Sequence, residues 1–395
     1  MNDYKAINEL EIYKKTEFAG VLRRTEYGCE FELNSTFRSH SNEAYFSYCI
    51  TKDTAKIVMQ GDNLPPFFAG LLPEGRRLNA LVDKIKTSKD DLFSLFSAVG
   101  SDCIGDIYVG NPAKAEFPPA KKLEEVNFYS LFEETIAPES PLFDSKALAG
   151  VQEKISASMI SFPLKLTKTG KSYILKLNPG DKNNLIQNEF CCLQLAKQCG
   201  FTVAKAKLVY DKNKNTGLLV ERFDRYNEKR IHQEDACQFL NRYPADKYRI
   251  TVNQIADAIM LIANAPQLEI LNLLSQIAFS YLICNGDLHA KNISLQTLED
   301  ETITLTPLYD LISTAIYSDF NMAIKMDGRD DNMKRKIFTD FAERYQISVK
   351  VMNATLDKLL KRFTKYYPGL FTFEMTDKKK NLLDRMIAKR IRDLQ

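Results

Sequence analysis

The sequence predicts an α+β protein in which a small α/β unit precedes a β-rich lobe and then a helical lobe. Two observations carry the fold class: short, partly alternating apolar segments dominate residues 10–33 and 157–223, and apolar residues at helical spacing fill residues 250–284. A third observation divides the chain, because the proline-rich segment Asn111–Lys122 (NPAKAEFPPAKK) disfavours regular structure and reads as a linker.

The first unit, residues 1–110, begins with three predicted strands, in LEIYKK, AGVLRRTE and CEFEL. RRLNALVDKI and DDLFSLFSAVG predict two amphipathic helices, and DIYVG predicts a closing strand. The segment FFAGLLPEG is mostly apolar and rich in glycine and proline, which favours packing against a neighbour over chemistry. We therefore expect this unit to have a scaffolding or regulatory role rather than a part in the chemistry.

The β-rich lobe, residues 123–228, starts with a helix in VNFYSLFEETI and a strand hairpin in SASMISFPLKLTKTGKSYILKLNP. A helix over Asn188–Gly200 and strands over Val203–Asp211 and Gly217–Phe223 follow. Residues 229–395 are predicted to be helical. A β-rich lobe with one helix, followed by a helical lobe, is the order found in two-lobed protein kinases, although order alone does not fix a function.

Composition narrows the class of protein. The 395 residues carry a net charge of +3, contain no long apolar run and begin with a charged segment, so a cytoplasmic protein is expected. The eight cysteines form no C-x-x-C pair and sit among apolar neighbours, as reduced buried thiols do. With three histidines, a zinc site is not expected. Residues 321–395 hold 18 Lys+Arg and 10 Asp+Glu, a basic surface for an acidic partner or simply a solvated face.

Three separated features together predict phosphoryl transfer. Lys176 lies on the predicted strand SYILKL, where a kinase needs a cation for the nucleotide phosphates, and Glu189 could pair with it. Asp287 precedes Asn292 by five residues in GDLHAKN, the spacing of a kinase catalytic loop, and Asp310 follows a strand-like segment as a second acidic group for magnesium.

Each feature alone has a plain structural explanation: an exposed lysine on an edge strand, a polar turn, or a turn aspartate. Their order on matching elements is far more specific. No G-x-G-x-x-G motif occurs, which disfavours an ordinary eukaryotic-type kinase. ALAGVQEK, residues 147–154, stands at the corresponding place.

The segments AGVQEK, LKLNP, NEFCCLQLAKQCG, VERFDR, HQEDACQ, GDLHAKN and LTPLYDLIS resemble, in order, motifs of the HipA-like serine/threonine kinases, which are toxins of bacterial toxin–antitoxin pairs. FFAGLLPEG and DLFSLFSAVGSDCIGDIYV resemble the N-terminal domain of that family. The resemblance extends from about residue 8 to 390. It implies a two-lobed protein-kinase-like fold preceded by a small N-terminal domain.

The resemblance also implies a set of roles. Asp287 would be the catalytic aspartate, and Asn292 and Asp310 would hold Mg2+. Lys176 would contact the phosphates of ATP. The other residues implied at the nucleotide are Ala149, Gly150, Val151, Gln152, Glu153, Lys154, Glu221, Arg222, Phe223, Gln233 and His289, of which Glu221 to Phe223 form the adenine-contacting connection between the lobes.

One departure from the family concerns regulation. The family usually carries an autophosphorylated serine just before the Gly-Val-Gln-Glu-Lys run, at positions that here are Ala147 and Ala149. Ser145 is the nearest serine. Either regulation differs, Ser145 has taken over, or the alanines were introduced by substitution.

The sequence thus predicts an ATP- and magnesium-dependent serine/threonine protein kinase. The resemblance implies a toxin that phosphorylates a translation component such as an aminoacyl-tRNA synthetase, with a small DNA-binding antitoxin as partner. The alternatives are a catalytically quiet binding module that acts with an antitoxin in repression, and a host-directed effector kinase. Direct nucleic-acid binding by the basic C-terminal region lacks interleaved aromatic residues beyond KRFTKYYP.

Overall fold

The computed structural model describes residues 4–61, 63–99, 103–112, 122–136, 159–166, 171–179, 184–226 and 229–395. It confirms the α+β class and the predicted order, with a sheet-containing first unit, a β-rich lobe and a helical lobe. None of the helices in the described ranges combines the length and the hydropathy of a membrane-spanning segment. All eight cysteines lie in the described residues as thiols rather than disulfides, and all but Cys49 are buried.

The first unit contains one antiparallel five-stranded sheet in the order β6-β3-β2-β1-β7, and its apolar face packs on helices. The predicted strands and helices are all present. The elements are β1 Glu9–Lys14, β2 Glu17–Thr25, β3 Gly28–Leu33, α1 Ser35–His40, β4 Tyr45–Ser47, β5 Ile50–Thr51, β6 Lys56–Gln60, α2 Pro66–Gly70, α3 Gly75–Ile85, α4 Leu92–Val99 and β7 Ile107–Val109.

Alternation explains the core of this unit, since every second residue of a strand faces the same side. In β1, Leu10, Ile12 and Lys14 are the inward residues. The core gathers the rings of Phe31, Phe46, Phe68 and Phe96. Lys14 is a buried cation, and its Nζ lies 3.0 Å from Asp106.

The β-rich lobe is a four-stranded antiparallel sheet in the order β10-β11-β9-β8, with one long helix. Its elements are α5 Phe128–Ile136, β8 Ile160–Lys165, β9 Ser172–Leu177, α6 Leu185–Cys199, β10 Ala206–Tyr210 and β11 Thr216–Glu221. Helix α6 ends as predicted at Gly200, whose φ of 101° suits glycine. The predicted start at Asn188 is wrong: the helix begins at Leu185, where Asn178 accepts a hydrogen bond from the Ile186 N–H at 3.1 Å.

The helical lobe is built around the long helix over Pro266–Leu282 and includes a small three-stranded sheet, of which the sequence analysis indicated only the strand-like segment before Asp310. Its elements are β12 Arg225–Tyr226, β13 Lys229–Arg230, β14 His232–Asp235, α7 Ala236–Phe239, α8 Val252–Ile262, α9 Pro266–Leu282, β15 Ser294–Thr297, β16 Ile303–Leu305, α10 Arg335–Arg344, α11 Val349–Tyr366 and α12 Asp377–Leu394. Strands β14, β15 and β16 pair in that order. All four residues of strand β14 are buried, although all four are polar. Because none is apolar, the segment shows no apolar alternation in the sequence.

Helix α2 joins the first unit to the helical lobe by packing on α7. Gln238 donates to the Phe67 carbonyl at 3.0 Å, and Tyr243 donates to the Leu64 carbonyl at 3.0 Å. A Cβ atom on Gly70 would lie 2.5 Å from Cγ of Gln238, so this approach requires glycine. The expectation that FFAGLLPEG packs against a neighbour is confirmed.

Candidate active site

Strand β9 and helix α6 bring Lys176 and Glu189 together under the sheet of the β-rich lobe. Lys176 Nζ donates to both carboxylate oxygens of Glu189, at 2.7 and 2.9 Å, and it also pairs with Asp310. Central placement on β9, between β11 and β8, makes Lys176 a buried residue rather than an exposed edge lysine. We call Lys176, Glu189 and Asp310 the nucleotide-side cluster.

Burial and charge act in opposite directions in the nucleotide-side cluster. Burial disfavours the ammonium form of Lys176, but Asp310 and Glu189 outweigh it and raise the lysine pKa. Burial, together with the neighbouring Asp310 charge, raises the pKa of Glu189 despite its lysine partner. One ammonium group therefore faces two carboxylates in a largely dry site.

The Asp287–Asn292 loop follows α9 and is fixed by its own polar groups. Asn285 accepts from the Asp287 N–H at 3.0 Å, and the Gly286 N–H donates to Thr314 Oγ1 at 2.7 Å. A Cβ atom on Gly286 would lie 2.6 Å from the Asn321 carbonyl oxygen, so glycine is needed there. His289 then caps a short 3-10 turn, with its Nδ1 accepting from the Lys291 N–H at 3.2 Å.

This turn brings Asn292 to Asp310. Asn292 Nδ2 donates to Asp310 Oδ2 over 3.4 Å, and the Asn292 Oδ1 atom accepts from the His289 N–H at 3.2 Å. Asp310 adopts a left-handed backbone conformation with φ of 52°. Its side chain is 24% exposed, whereas that of Lys176 is 10% exposed. Asp310 is thus the open member of the nucleotide-side cluster.

Carboxylate and amide oxygens are the protein ligands that suit Mg2+, which usually binds one or two of them together with water and phosphate oxygens. Asp310 and Asn292 fit this description, provided that the Asn292 amide turns over to present its oxygen. Among the described residues no three His, Cys, Asp or Glu side chains form a dedicated metal site. The oxygens of Asp310 and Asn292 thus fit the small number of protein ligands that Mg2+ usually takes.

Tyr248 is a residue of the site that the sequence analysis missed. Its hydroxyl donates to Asp287 Oδ1 at 3.3 Å, and its ring meets the His289 ring edge-on at 5.5 Å between centroids. Burial and the Asp287 charge raise the pKa of Tyr248, so the hydroxyl keeps its proton as a donor. Only its three-dimensional position marks Tyr248, because it lies 39 residues before Asp287 in the chain.

Tyr309 is a second residue that the analysis missed, although it lies next to Asp310. Its hydroxyl donates to the Lys291 carbonyl at 2.7 Å and lies 2.6 Å from Ser294 Oγ. The Tyr309 ring packs against Phe223 at 5.6 Å between centroids. Tyr309 therefore joins the end of the Asp287–Asn292 loop to the connection between the lobes.

The predicted adenine-contacting residues Glu221, Arg222 and Phe223 do connect the two lobes. Two of their backbone N–H groups already make hydrogen bonds within the protein. Glu221 donates to the Lys205 carbonyl at 2.8 Å, and Arg222 donates to the Ser172 carbonyl at 3.0 Å. The Arg222 side chain is buried against Asp224 and donates to the Cys103 carbonyl of the first unit at 3.2 Å. The Arg222 side chain thus contributes to the contact between the first unit and the connection between the lobes.

Two further predicted residues are buried near the loop. Gln233 lies on β14 and pairs in register with Gln296 of β15. His289 is 2% exposed and holds the turn described above. The predicted residues Ser145, Ala147, Ala149, Gly150, Val151, Gln152, Glu153 and Lys154 lie outside the described residues.

Two family models match this chain. Residues 10–110 match the family model described as the HipA N-terminal domain, and residues 146–366 match that of the HipA-like C-terminal domain. The Sinorhizobium fredii protein Y4mE is 30% identical over 284 residues, which are 66% of this chain and 67% of that protein.

Two further similarities involve Shewanella oneidensis. The serine/threonine-protein kinase toxin HipA of that organism is 29% identical over 290 residues, 66% of this chain and 65% of that protein. A solved structure of its HipA with HipB and operator DNA matches with a TM-score of 0.73 and 20% identity, covering 97% of this chain and 96% of that one. The fold is therefore that of HipA, a two-lobed kinase-like fold behind an N-terminal domain, and the chain belongs to the HipA family.

Proposed function

We propose that this chain is an ATP- and magnesium-dependent serine/threonine protein kinase of the toxin type. The observation that carries the proposal is the meeting of three distant segments: Lys176 bonds Glu189 and Asp310, and Asn292 contacts Asp310 from the Asp287–Asn292 loop. Phosphoryl transfer relies on positioning and on charge stabilisation, which such a group of side chains supplies.

Each side chain has a separate task in this proposal. Lys176 orients the phosphates of the nucleotide, held in place by Glu189. Asp310 and Asn292 hold Mg2+, which neutralises charge on the phosphate oxygens when it is bound. Asp287 accepts the proton of the attacking serine or threonine hydroxyl, or orients that hydroxyl. Tyr248 fixes one oxygen of Asp287 through its hydroxyl.

The proposed partner is a small DNA-binding antitoxin. Support comes from the Shewanella oneidensis structure, which contains HipA, HipB and operator DNA, and from the similarity of nearly the whole chain to that HipA. The proposed target is a translation component such as an aminoacyl-tRNA synthetase, as the family resemblance implies.

A labelling experiment tests the activity and finds the target. The purified chain is incubated with cell lysate and γ-labelled ATP, with magnesium or with a chelator, and the labelled protein is identified by mass spectrometry. The proposal predicts a discrete labelled band that needs magnesium and is absent with the Asp287→Asn variant. No labelled band, with ATP still bound, would instead support the catalytically quiet binding module.

A further inference from the structure

Lys291 lies inside the Asp287–Asn292 loop, but the first unit provides two of its three observed partners. Its Nζ atom donates to the Gly70 carbonyl at 3.1 Å and lies 3.3 Å from Glu74 Oε1. The third partner is Asp235 Oδ2, at 3.1 Å. The Lys291 side chain is 1% exposed, so it is a buried internal link rather than a group that meets the substrate from solvent.

Glu74 also reaches the other side of the loop. Its second oxygen pairs with Lys247, whose backbone carbonyl accepts from the Ala290 N–H at 3.1 Å. The next residue, Tyr248, donates to Asp287. One carboxylate of the first unit therefore connects to the segments on both sides of Asp287.

We call Glu74, Lys247, Lys291 and Asp235 the domain cluster. Its charges balance, because two carboxylates face two ammonium groups. Burial disfavours the charged form of Lys291, but Asp235 and Glu74 outweigh it and raise the lysine pKa. Loss of the Glu74 charge would leave two buried ammonium groups with one carboxylate, which favours movement of the loop toward other partners.

The position of the first unit does not depend on the domain cluster alone. Helix α2 packs on α7 through Gln238 and Gly70. Asp235 is held separately by a capping box with Gln238, at 3.0 and 3.1 Å. A neutral residue at position 74 should therefore leave the two units docked, while the loop loses its two observed ion pairs to Glu74, the direct one at Lys291 and the one through Lys247.

We propose that Glu74 is a positioning residue for phosphoryl transfer, which sets the Asp287–Asn292 loop through Lys291 and Lys247. The first unit then completes the kinase site. This inference rests on the proposed kinase function, and it goes beyond the scaffolding or regulatory role expected from the sequence. Small displacements of catalytic groups commonly cost about 100-fold in rate.

The test uses the full chain with Glu74→Gln and Glu74→Asp. Glu32→Gln is the matched control, because Glu32 belongs to an exposed ion pair of the first unit, 2.7 Å from Arg23. We expect Glu74→Gln to lower kcat by about 10–100-fold with little change in the dissociation constant for ATP. Because the change leaves buried lysines with one carboxylate fewer, it should also lower the unfolding temperature, so kcat is compared at a temperature at which every chain is folded. Glu74→Asp should restore part of kcat, and Glu32→Gln should match the wild type.

Amide hydrogen exchange of residues 285–292 provides a second readout that needs no activity. Exchange in this segment should be faster in Glu74→Gln than in the wild type and Glu32→Gln. Unchanged exchange, or unchanged kcat in a folded Glu74→Gln chain, would overturn the inference. A wild-type chain without phosphoryl transfer would instead contradict the proposed function, and the exchange result would still decide whether Glu74 positions the loop.

Discussion

Two buried groups of lysine and carboxylate side chains flank the candidate active site, and they differ in exposure and in balance. In the nucleotide-side cluster, one lysine faces Glu189 and Asp310, and the Asp310 side chain is 24% exposed. In the domain cluster, two lysines face Glu74 and Asp235, and the most exposed side chain is 13% exposed. Similar residue types thus build an open site and a closed one.

The difference indicates what each cluster is for. An excess of negative charge with one accessible carboxylate favours binding of a further cation, as a magnesium–nucleotide complex would require. A balanced, closed cluster has no such capacity and instead fixes one arrangement of the chain. Exposure and charge balance, rather than residue type, therefore separate the proposed binding group from the proposed positioning group.

The largest expected effect comes from a change that leaves both clusters intact. Asp287→Asn should lower the rate of phosphoryl transfer by about 10²–10⁴-fold, because a positioned base or orienting group is lost. The fold should persist, since asparagine has nearly the same shape. Transfer rates and ATP dissociation constants measured side by side check this, and near-wild-type turnover would remove Asp287 from its proposed role.

Changes at Asp310 of the nucleotide-side cluster, and at Asn292 beside it, should affect magnesium binding more than the rate of phosphoryl transfer. Asp310→Ala and Asn292→Ala should weaken magnesium-supported ATP binding by about 10–100-fold, the cost typical of disturbing a metal environment. Asp287→Asn should weaken it less. Calorimetric titration of ATP with and without magnesium makes the comparison. Equal affinities for all three variants under both conditions would contradict the division of roles.

Replacing Lys291 of the domain cluster and Lys176 of the nucleotide-side cluster should lower the free energy of unfolding by different amounts. Lys291→Met should lower the free energy of unfolding by about 3–5 kcal/mol, since it leaves buried charges without a partner. Lys176→Met should lower the free energy of unfolding by only about 1–2 kcal/mol. Glu189 can take up a proton, and the partly exposed carboxylate of Asp310 can be solvated by water. Denaturant unfolding measures both values. A larger loss for Lys176→Met would reverse the comparison.

A smaller, pH-dependent effect is expected at a third contact between the first unit and the helical lobe. His232 lies 2.8 Å from both Asp106 and Glu234, with Lys14 2.9 Å from its Nδ1 atom. Burial and Lys14 disfavour the charged imidazole, but the two carboxylates outweigh them and raise the pKa of His232.

A raised folded-state pKa means that the stabilising contribution of His232 is complete below the unfolded value of about 6.5 and is lost as the pH rises through the folded value. The unfolding temperature of the wild type should therefore exceed that of His232→Gln by a few degrees at pH 6, and by less at pH 9. A difference that grows with pH would show that the histidine is held in its neutral form.

The sequence predicted the parts of the fold that apolar periodicity encodes. Strands β1 to β3 and the hairpin of β8 and β9 alternate or carry continuous apolar runs, and the helices show clear apolar stripes. Strand β14 was missed because all four of its residues are polar and are buried by the first unit and by strand β15. Burial of that kind depends on tertiary packing, which no local pattern reports.

The residues of the candidate site also divide into those that the sequence indicated and those that only the fold brings into view. Lys176, Asp287, Asn292 and Asp310 could be proposed because their order and spacing follow from the chemistry of phosphoryl transfer. Glu74 could not, because its partner Lys291 is more than two hundred residues away and the segment around it is mostly apolar. A contact between distant segments becomes visible only when the fold brings them together.

The most direct test of the central claim compares ADP formation with protein-bound phosphate. The purified wild-type chain is incubated with ATP and the unphosphorylated form of the target that the labelling experiment identifies, with magnesium or with a chelator, alongside Asp287→Asn. The account predicts equal amounts of ADP and phosphoserine or phosphothreonine in the wild type with magnesium, at least about 100-fold slower formation of both products in the variant, and neither product in the chelated sample. ATP turnover that persists unchanged in Asp287→Asn, or its absence in the wild type with magnesium and target, would contradict the account.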